Sequence, residues 1–512
     1  MSLTSNLFFL FTVMGLCIYY IVPKRLQWVV LLICSYCYYM IISIPAVFFL
    51  LFSTLVTYGC ALWIKHIDNV QIEEKVDVKK KKRVVIFGIV LDLGMLAFLK
   101  YSNFLILNIN AITKGHINLF HMILPLGISY YTFQTLGYLL DVYWGRAEAE
   151  TNLGKYALFV SFFPQLVQGP IGRYGRLADQ LTSSHKFELH QIKYGVERIV
   201  WGLFKKMIVA EWASVYRIAI FSNPEQYSGI AVFGVLLYTI ELYGDFAGGI
   251  DIVLSVAAMF GIRLDENFRQ PLFSVSISDF WRRWHISLGT WMKDYVFYPL
   301  TLSKAMCKLQ KKAKVKWGRK KGRFVTIAVS DLIVFVLVGL WHGPSWNNIG
   351  WGFYNGVIIA TSGFMTDTYK VWKTKLHIKD QSKGYHLFMI LRTFILFNLG
   401  QYFDCVSSVG EALKMMKYSV TSFQPSQFLM ISSGKLGVEY TPYALLTLFI
   451  GCVIWFIVSV LKEKGINMEE AAAKTPIALE FLMCILLLIS IPLFSPMSVA
   501  RGFIYAQFKK RN

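Results

Sequence analysis

Residues 331–356 read DLIVFVLVGLWHGPSWNNIGWGFYNG. Ten almost wholly apolar residues open this stretch, and two residues later His342 is followed at once by Gly343 and Pro344. Because proline pushes its predecessor out of helical geometry, we expect an apolar helix to end at His342. If that helix begins near Arg323, it rises roughly 27 Å and carries the histidine well across a bilayer. The stretch therefore predicts an ionisable ring at the broken end of a membrane helix.

The composition of the whole chain indicates the same environment. Of its 512 residues, 55% are hydrophobic and only 16% are charged, against about 25% charged in ordinary globular chains. Apolar runs long enough to cross a bilayer recur, which predicts an all-α polytopic membrane protein with about eleven transmembrane helices. The predicted spans begin near residues 5, 27, 46, 84, 121, 195, 229, 324, 386, 443 and 477. Shorter or broken apolar pieces, predicted to be re-entrant, lie at 157–172, 289–302 and 347–363.

The positive charge is placed as membrane topology requires. The net charge of +22 is concentrated in a KKKKR run within 65–83 and in ten basic residues without an acid at 304–323. Such clusters at helix ends mark cytoplasmic loops, so they do not argue for nucleic acid. We expect a multi-pass protein of the cell membrane with its N-terminus outside and its C-terminal KKRN inside. The first span lacks a basic leader and a cleavage site, so we expect it to be retained.

Eight scattered cysteines give no disulfide framework. Cys34 and Cys37 lie within an apolar helix, with no second pair that would complete a zinc site. The chain also lacks nucleotide-binding fingerprints. We therefore expect no metal and no bound cofactor.

Polar residues cluster at bilayer depth in two neighbouring blocks. The block ELYGDFAGGID (241–251) sets Asp245 and Asp251 among glycines, which let helices approach closely. The block DFWRRWHISLGTW (279–291) predicts a helix with Trp281, His285 and Leu288 on one face. Charges inside a membrane usually mark a functional interior. An interfacial belt of Trp and Arg is the alternative interpretation of the second block.

Five ordered motifs carry a family resemblance. They are PLGISYYTFQTLGYLLDVYWG (125–145), FFPQLVQGPIGR (162–173), YGDFAGGIDIVLSVAAMFGIRLDENFRQP (243–271), DFWRRWHISLGTWMKDYVFYPL (279–300) and GLWHGPSWNNIGWGFYNG (339–356). In this order the chain resembles the membrane-bound O-acyltransferases, in their bacterial polysaccharide-acylating branch. The motif wording is most like the membrane subunits of alginate O-acetyltransferases, and the teichoic-acid D-alanylation proteins are more distant.

The resemblance implies an acyltransferase with His342 as its invariant histidine and His285 as the second family position. Asp245 and Asp251 match supporting acidic positions. Acyl transfer to a hydroxyl needs a base near neutrality, and imidazole has an unperturbed pKa of about 6.5. We therefore expect His342 to act as general base and His285 to orient the acyl group or polarise its carbonyl. Candidates for the substrate channel are Trp281, Trp341 and Asn347.

The resemblance predicts only the chemical classes of the donor and of the acceptor. Acetyl-CoA is the expected donor, with a carrier-protein D-alanyl thioester as the alternative. The expected acceptor is an extracellular or cell-envelope polysaccharide, reached through extracytoplasmic partner proteins. Besides the donor, the acceptor and the lipid bilayer, we expect no nucleic-acid partner.

Three further possibilities stay open on the sequence. A transporter or flippase also needs polar residues at membrane depth. A relay would pass the acyl group across the membrane to a partner, and a structural subunit would use its tryptophans only as anchors. We expect 1–512 to form one membrane-embedded domain, with the motif-bearing core at 125–356. Conclusions from the family resemblance apply less well to the helical part 357–512, since the phenylalanine-arginine motif of many relatives is not evident there.

Overall fold

A computed structural model of the protein describes residues 1–70, 78–122, 124–222, 227–427, 442–473 and 475–496. Throughout these ranges the regular structure is helical, apart from one isolated bridge between Phe268 and Trp284. The all-α class is confirmed. In chain order the α-helices are α1 (Asn6–Ile21), α2 (Gln27–Ile42), α3 (Ile44–Val70), α4 (Val78–Thr113), α5 (Ile128–Tyr143), α6 (Leu153–Ser161), α7 (Tyr174–Thr182), α8 (Leu189–Leu203), α9 (Glu211–Ser222), α10 (Ala231–Met259), α11 (Ile277–Arg283), α12 (Ile286–Met292), α13 (Tyr298–Thr301), α14 (Lys304–His342), α15 (Trp346–Phe364), α16 (Thr366–Lys375), α17 (Lys383–Cys405), α18 (Val409–Thr421), α19 (Pro442–Glu463), α20 (Met468–Ala473) and α21 (Ile477–Phe494).

Six helices in the described ranges are long and apolar enough to cross a membrane. They are Lys24–Ile42, Ile44–Asn69, Val78–Thr113, Ser228–Met259, Lys304–His342 and Tyr443–Glu463. Two shorter apolar helices, Asn6–Ile21 and Ala478–Phe494, add to the apolar length. The protein is therefore polytopic, as predicted. The number of about eleven crossings stays a prediction, because α5 is short and α8 and α17 carry charged side chains.

The chain folds into two compact units. The first unit comprises Met1–Ile199 and Gly249–Glu266, and the second comprises Val200–Gly248 and the described part of Asn267–Ile504. Helix α10 contributes residues to both units. The expected single membrane-embedded domain with a motif-bearing core at 125–356 stays a prediction.

A buried carboxyl group joins three helices of the first unit. Asp92 of α4 is fully buried, and it accepts hydrogen bonds from Ser53 of α3 at 2.5 Å and from Thr135 of α5 at 2.7 Å. A buried polar group is costly unless it is hydrogen-bonded, so these hydroxyls fix how α3, α4 and α5 pack.

The basic segment 304–323 is helical, which corrects its prediction as a loop. Ser303 caps the start of α14 by accepting a hydrogen bond from the backbone N–H of Met306 at 3.3 Å. The chain turns at Gly318, where φ is +82° and ψ is 167°. Beyond the turn, a Cβ on Gly322 would lie 2.6 Å from the backbone nitrogen of Lys314. The turn therefore folds the lysine-rich arm back against the start of the spanning part of α14.

The segment 347–363 belongs to the continuous helix α15, and its re-entrant course stays a prediction. Glycines let α14 and α15 touch through their backbones. A Cβ on Gly339 would lie 2.2 Å from the carbonyl oxygen of Asn348, and one on Gly352 would lie 2.3 Å from that of Phe335. Small residues at such crossings allow the close approach on which helix packing in membranes depends. This contact positions the end of α14.

Replacing Gly352 with alanine should destabilise the protein. The new methyl group would force the two backbones apart, and overpacking of this kind costs about 1–3 kcal/mol or more. Gly363→Ala in the same helix is the matched control, because its Cβ would meet its nearest atom, on Phe324, at an ordinary 3.9 Å. Thermal unfolding in detergent measures both variants. Equal midpoints for the two would contradict this account of the α14–α15 contact.

Candidate active site

His342 lies where the sequence predicts, at the last residue of α14. Gly343 ends the helix in extended geometry, and Ser345 caps α15 by accepting a hydrogen bond from a backbone N–H of its first turn at 3.2 Å. The half-buried imidazole packs against the ring of Trp341 at 5.0 Å and that of Trp351 at 5.2 Å. The helix break thus presents the ring of His342 between two indoles.

His285 lies between two helices, not within one. Helix α11 ends at Arg283 and α12 begins at Ile286, while His285 itself has a left-handed backbone with φ of +47°. The predicted helical face joining Trp281, His285 and Leu288 is therefore wrong. A non-glycine residue in this region is uncommon and is held there by its surroundings.

A short antiparallel pairing explains the break. Phe268 and Trp284 form an isolated β-bridge. Beside it, the backbone N–H of Arg269 donates to the carbonyl of Arg283 at 2.9 Å, and that of Ile286 donates to the carbonyl of Asn267 at 3.0 Å. These bonds replace the helical bonds that a continuous α11–α12 helix would make.

The side chain of Asn267 reinforces this pairing. Its Oδ1 accepts a hydrogen bond from the backbone N–H of Ser287 at 2.9 Å and lies 3.3 Å from Nδ1 of His285. Asn267 and His285 are both buried, at 0% and 3% relative exposure. The segment before α11 therefore holds His285 in place through both the backbone and the side chain of Asn267.

An aromatic cluster brings the two histidines together in the second unit. The ring of Trp341 lies 5.8 Å from that of His285 and 5.0 Å from that of His342. Phe246 of α10 contacts His285 edge-on at 4.8 Å. Trp281 joins the cluster through Trp351, 5.4 Å away. The structure thus brings His285, His342, Trp281 and Trp341 into one aromatic cluster, while their roles stay a prediction.

Asp245 belongs to a buried ionic triad. Lys206 lies 2.5 Å from Asp245 and 2.7 Å from Glu211, and all three side chains are at most 4% exposed. Lys206 comes from the π-helical stretch Phe204–Ala210, between α8 and α9. Asp245 and Glu211 therefore share one buried cation. Its neighbour in the chain, Phe246, is the residue that packs on His285.

Asp251 and Asn347 make contacts of other kinds. In the first unit Asp251 pairs with Arg198 at 2.8 Å, and Arg198 also pairs with Glu266 at 2.7 Å. In the second unit Asn347 donates from its side-chain amide to the carbonyl of Val406 at 2.7 Å. The bond of Asn347 ties the start of α15 to the residue after α17. A channel role for Asn347 stays a prediction.

The chain has relatives among known acyltransferases. Residues 147–400 match the model of the MBOAT, membrane-bound O-acyltransferase family. The chain is 35% identical over 365 residues to the probable alginate O-acetylase AlgI of Pseudomonas putida, which covers 70% of each chain. The chain belongs to the membrane-bound O-acyltransferase family. This MBOAT protein is therefore an acyltransferase embedded in a membrane, and the transporter and structural-subunit alternatives are set aside.

Two other relatives extend the comparison of this MBOAT protein. A peptidoglycan O-acetyltransferase of Helicobacter pylori is 29% identical over 415 residues, or 74% of each chain. A teichoic acid D-alanyltransferase of Bacillus subtilis is 30% identical over 283 residues, which is 54% of this chain and 67% of the relative.

Sequence reasoning missed several buried polar residues of the second unit. A second buried ion pair joins Arg217 of α9 to Glu241 of α10, one helical turn before Asp245. The sequence does contain a signal for Lys206, because two adjacent lysines inside an apolar run need buried partners. Asn267 lies in a quoted motif, but nothing in the sequence shows that it meets His285, eighteen residues later.

Lys206→Met should unfold or strongly destabilise the protein. It leaves Asp245 and Glu211 buried together without their cation, and removing one partner from a buried ion pair costs about 3–5 kcal/mol. The yield of monodisperse protein and the midpoint of thermal unfolding measure the loss. Adding Asp245→Asn and Glu211→Gln to the same chain should recover part of the stability.

Lys320→Met is the matched control for the ionic triad. Lys320 pairs with Asp367 at 2.6 Å, but both side chains are more than half exposed. Exposed pairs contribute little to stability, so this variant should behave as the wild type. Equal losses for the two lysine variants would contradict a special role for the buried triad.

Proposed function

We propose that this MBOAT protein transfers an acetyl group from a cytoplasmic thioester, acetyl-CoA, to hydroxyls of an extracellular or cell-envelope polysaccharide, with His342 as general base. The observation that carries the proposal is the pairing of two imidazoles around Trp341 at the break after α14. Imidazole is the side chain suited to proton transfer near neutral pH.

The reaction balances with one base. The acceptor oxygen attacks the thioester carbonyl carbon while His342 takes the hydroxyl proton. The resulting tetrahedral intermediate breaks its carbon–sulfur bond, and the proton passes from His342 to the leaving thiolate. The products are an acetyl ester and a free thiol, and His342 returns to its neutral form. Base catalysis of this kind contributes typically about 10²–10⁴-fold in rate.

Acetyl is favoured over D-alanyl by the extent of the similarities. The acetylase and acetyltransferase relatives are matched over 70% and 74% of this chain, against 54% for the D-alanyltransferase. The 30% identity to that last protein makes a D-alanyl thioester on a carrier protein the second candidate donor. We further propose that extracytoplasmic partner proteins present the polysaccharide.

The indoles support this assignment because they exclude water from the site. Trp341 is nearly buried, at 6% exposure, and Trp351 is equally so. Apolar walls around the reacting atoms keep water away from the thioester and strengthen the electrostatic interactions within the site. A site of this kind favours transfer to a positioned hydroxyl over hydrolysis.

His342→Ala should abolish acetyl transfer, lowering the rate by about 10²–10⁴-fold because the general base is lost. Purified protein in nanodiscs receives labelled acetyl-CoA and a hydroxylated polysaccharide, and thioester loss and label transfer are measured together. His116→Ala is the matched control, because that histidine is exposed in a connection outside the site and should leave the rate unchanged.

The outcomes test the identity of the donor separately from the role of His342. A His342→Ala variant that folds and transfers acetyl at a near-normal rate would overturn the proposal. If wild-type protein uses the D-alanyl carrier and not acetyl-CoA, the second donor replaces the first and the role of His342 is tested with it.

A further inference from the structure

We infer that Asn267 is a positioning residue that holds His285 in the tautomer with its proton on Nδ1, so that neutral His285 offers Nε2 as a hydrogen-bond acceptor. This inference rests on the proposed function, because it concerns how one of the two histidines of that site takes part in the reaction. It assigns a role to a residue outside the histidine motifs.

The backbone of Ser287 fixes the orientation of the Asn267 amide. A backbone N–H can only donate, and that of Ser287 lies 2.9 Å from the side-chain atom of Asn267. The atom facing it must therefore be the acceptor, Oδ1, and not the amide nitrogen. A flipped amide would set two donors against each other.

The oriented amide in turn constrains the imidazole of His285. The same Oδ1 lies 3.3 Å from Nδ1 of His285. An amide oxygen only accepts, so the hydrogen bond requires the proton on Nδ1. A neutral imidazole carries one proton, and its Nε2 is then unprotonated.

The backbone and the neighbouring rings hold the imidazole of His285 in place. His285 is held in a left-handed conformation, between the bond from Ile286 to the Asn267 carbonyl and the bond from Arg269 to the Arg283 carbonyl. Phe246 covers one edge of the ring at 4.8 Å, and Trp341 lies at 5.8 Å. Rotation of the imidazole away from Asn267 would therefore require its packing to change.

This tautomer limits what His285 can do in the reaction. A neutral His285 with an unprotonated Nε2 accepts a hydrogen bond from a substrate. Through that nitrogen it cannot donate a hydrogen bond that would polarise the thioester carbonyl. Such polarisation would need the doubly protonated ring. His342 is the other titratable ring of the cluster, and Trp341 contacts both imidazoles. Neutral His285 therefore acts as a hydrogen-bond acceptor through Nε2, and other groups polarise the carbonyl.

The tautomer of the wild-type protein is the primary test. Protonated and unprotonated imidazole nitrogens differ in ¹⁵N chemical shift, and a difference spectrum against His285→Gln assigns the signals in ¹⁵N-histidine-labelled protein. We expect a protonated Nδ1 and an unprotonated Nε2 at neutral pH. The opposite tautomer would overturn the inference without any variant of Asn267.

Variants of Asn267 test the consequence for catalysis. Asn267→Leu removes the acceptor oxygen, so the Nδ1–H preference should vanish and kcat should fall about 10–100-fold, as for losses of other histidine-orienting partners. Asn267→Asp keeps an oxygen in place and should retain the tautomer. Its carboxylate stabilises protonated His285, so the acid limb of the kcat profile should move to higher pH.

Asn398→Leu is the matched control for loss of a buried amide. Asn398 is buried in the same unit, where its Oδ1 accepts from Thr239 at 2.8 Å. This variant should lose stability but keep the His285 signals and the pH profile. If Asn267→Leu changes stability alone, as the control does, Asn267 is merely structural.

Failure of this inference is distinguishable from failure of the proposed function. A folded, fully active His285→Ala variant would remove His285 from the reaction and overturn the site assignment itself. An inactive His285→Ala variant combined with an unchanged tautomer and pH profile in Asn267→Leu would overturn only the role of Asn267.

Discussion

Charges buried within a membrane protein must find their partners inside the chain, and this constraint governs helix α10. Its acidic side chains are paired with bases that precede them in the sequence: Glu241 with Arg217, Asp245 with Lys206, and Asp251 with Arg198. Each pair is stabilising only while both members are present. By fixing α10, the pairs of the second unit fix Phe246, which packs on His285. Asp245 of the buried ionic triad therefore directly precedes Phe246, the residue that packs on His285.

The features predicted correctly from sequence are those with a local physical cause. Apolar runs of membrane length indicate the helices, and the Gly343–Pro344 pair indicates the end of α14 at His342. Five colinear motifs indicate the family, which the similarity to known acyltransferases confirms.

The features that sequence missed depend on contacts between distant residues. The break at His285 has no glycine or proline to announce it, because it is imposed by pairing with the segment at Asn267. The charge of the basic segment 304–323 resembles a topological signal and so predicts a loop, although lysine is also a good helix former and Gly318 provides the turn. Likewise, Lys206 could be recognised as unusual but not assigned to Asp245 and Glu211.

The contact between α14 and α15 has a consequence for how such an enzyme changes its preference for acyl groups. Because these helices meet through backbone atoms at Gly339 and Gly352, the placement of His342 relative to α15 depends on those two glycines and not on the larger side chains around the histidine. Evolution or engineering can therefore vary the indoles around the histidine without moving the histidine itself. In this architecture, the size of the rings around His342 and the position of His342 itself are separately adjustable quantities.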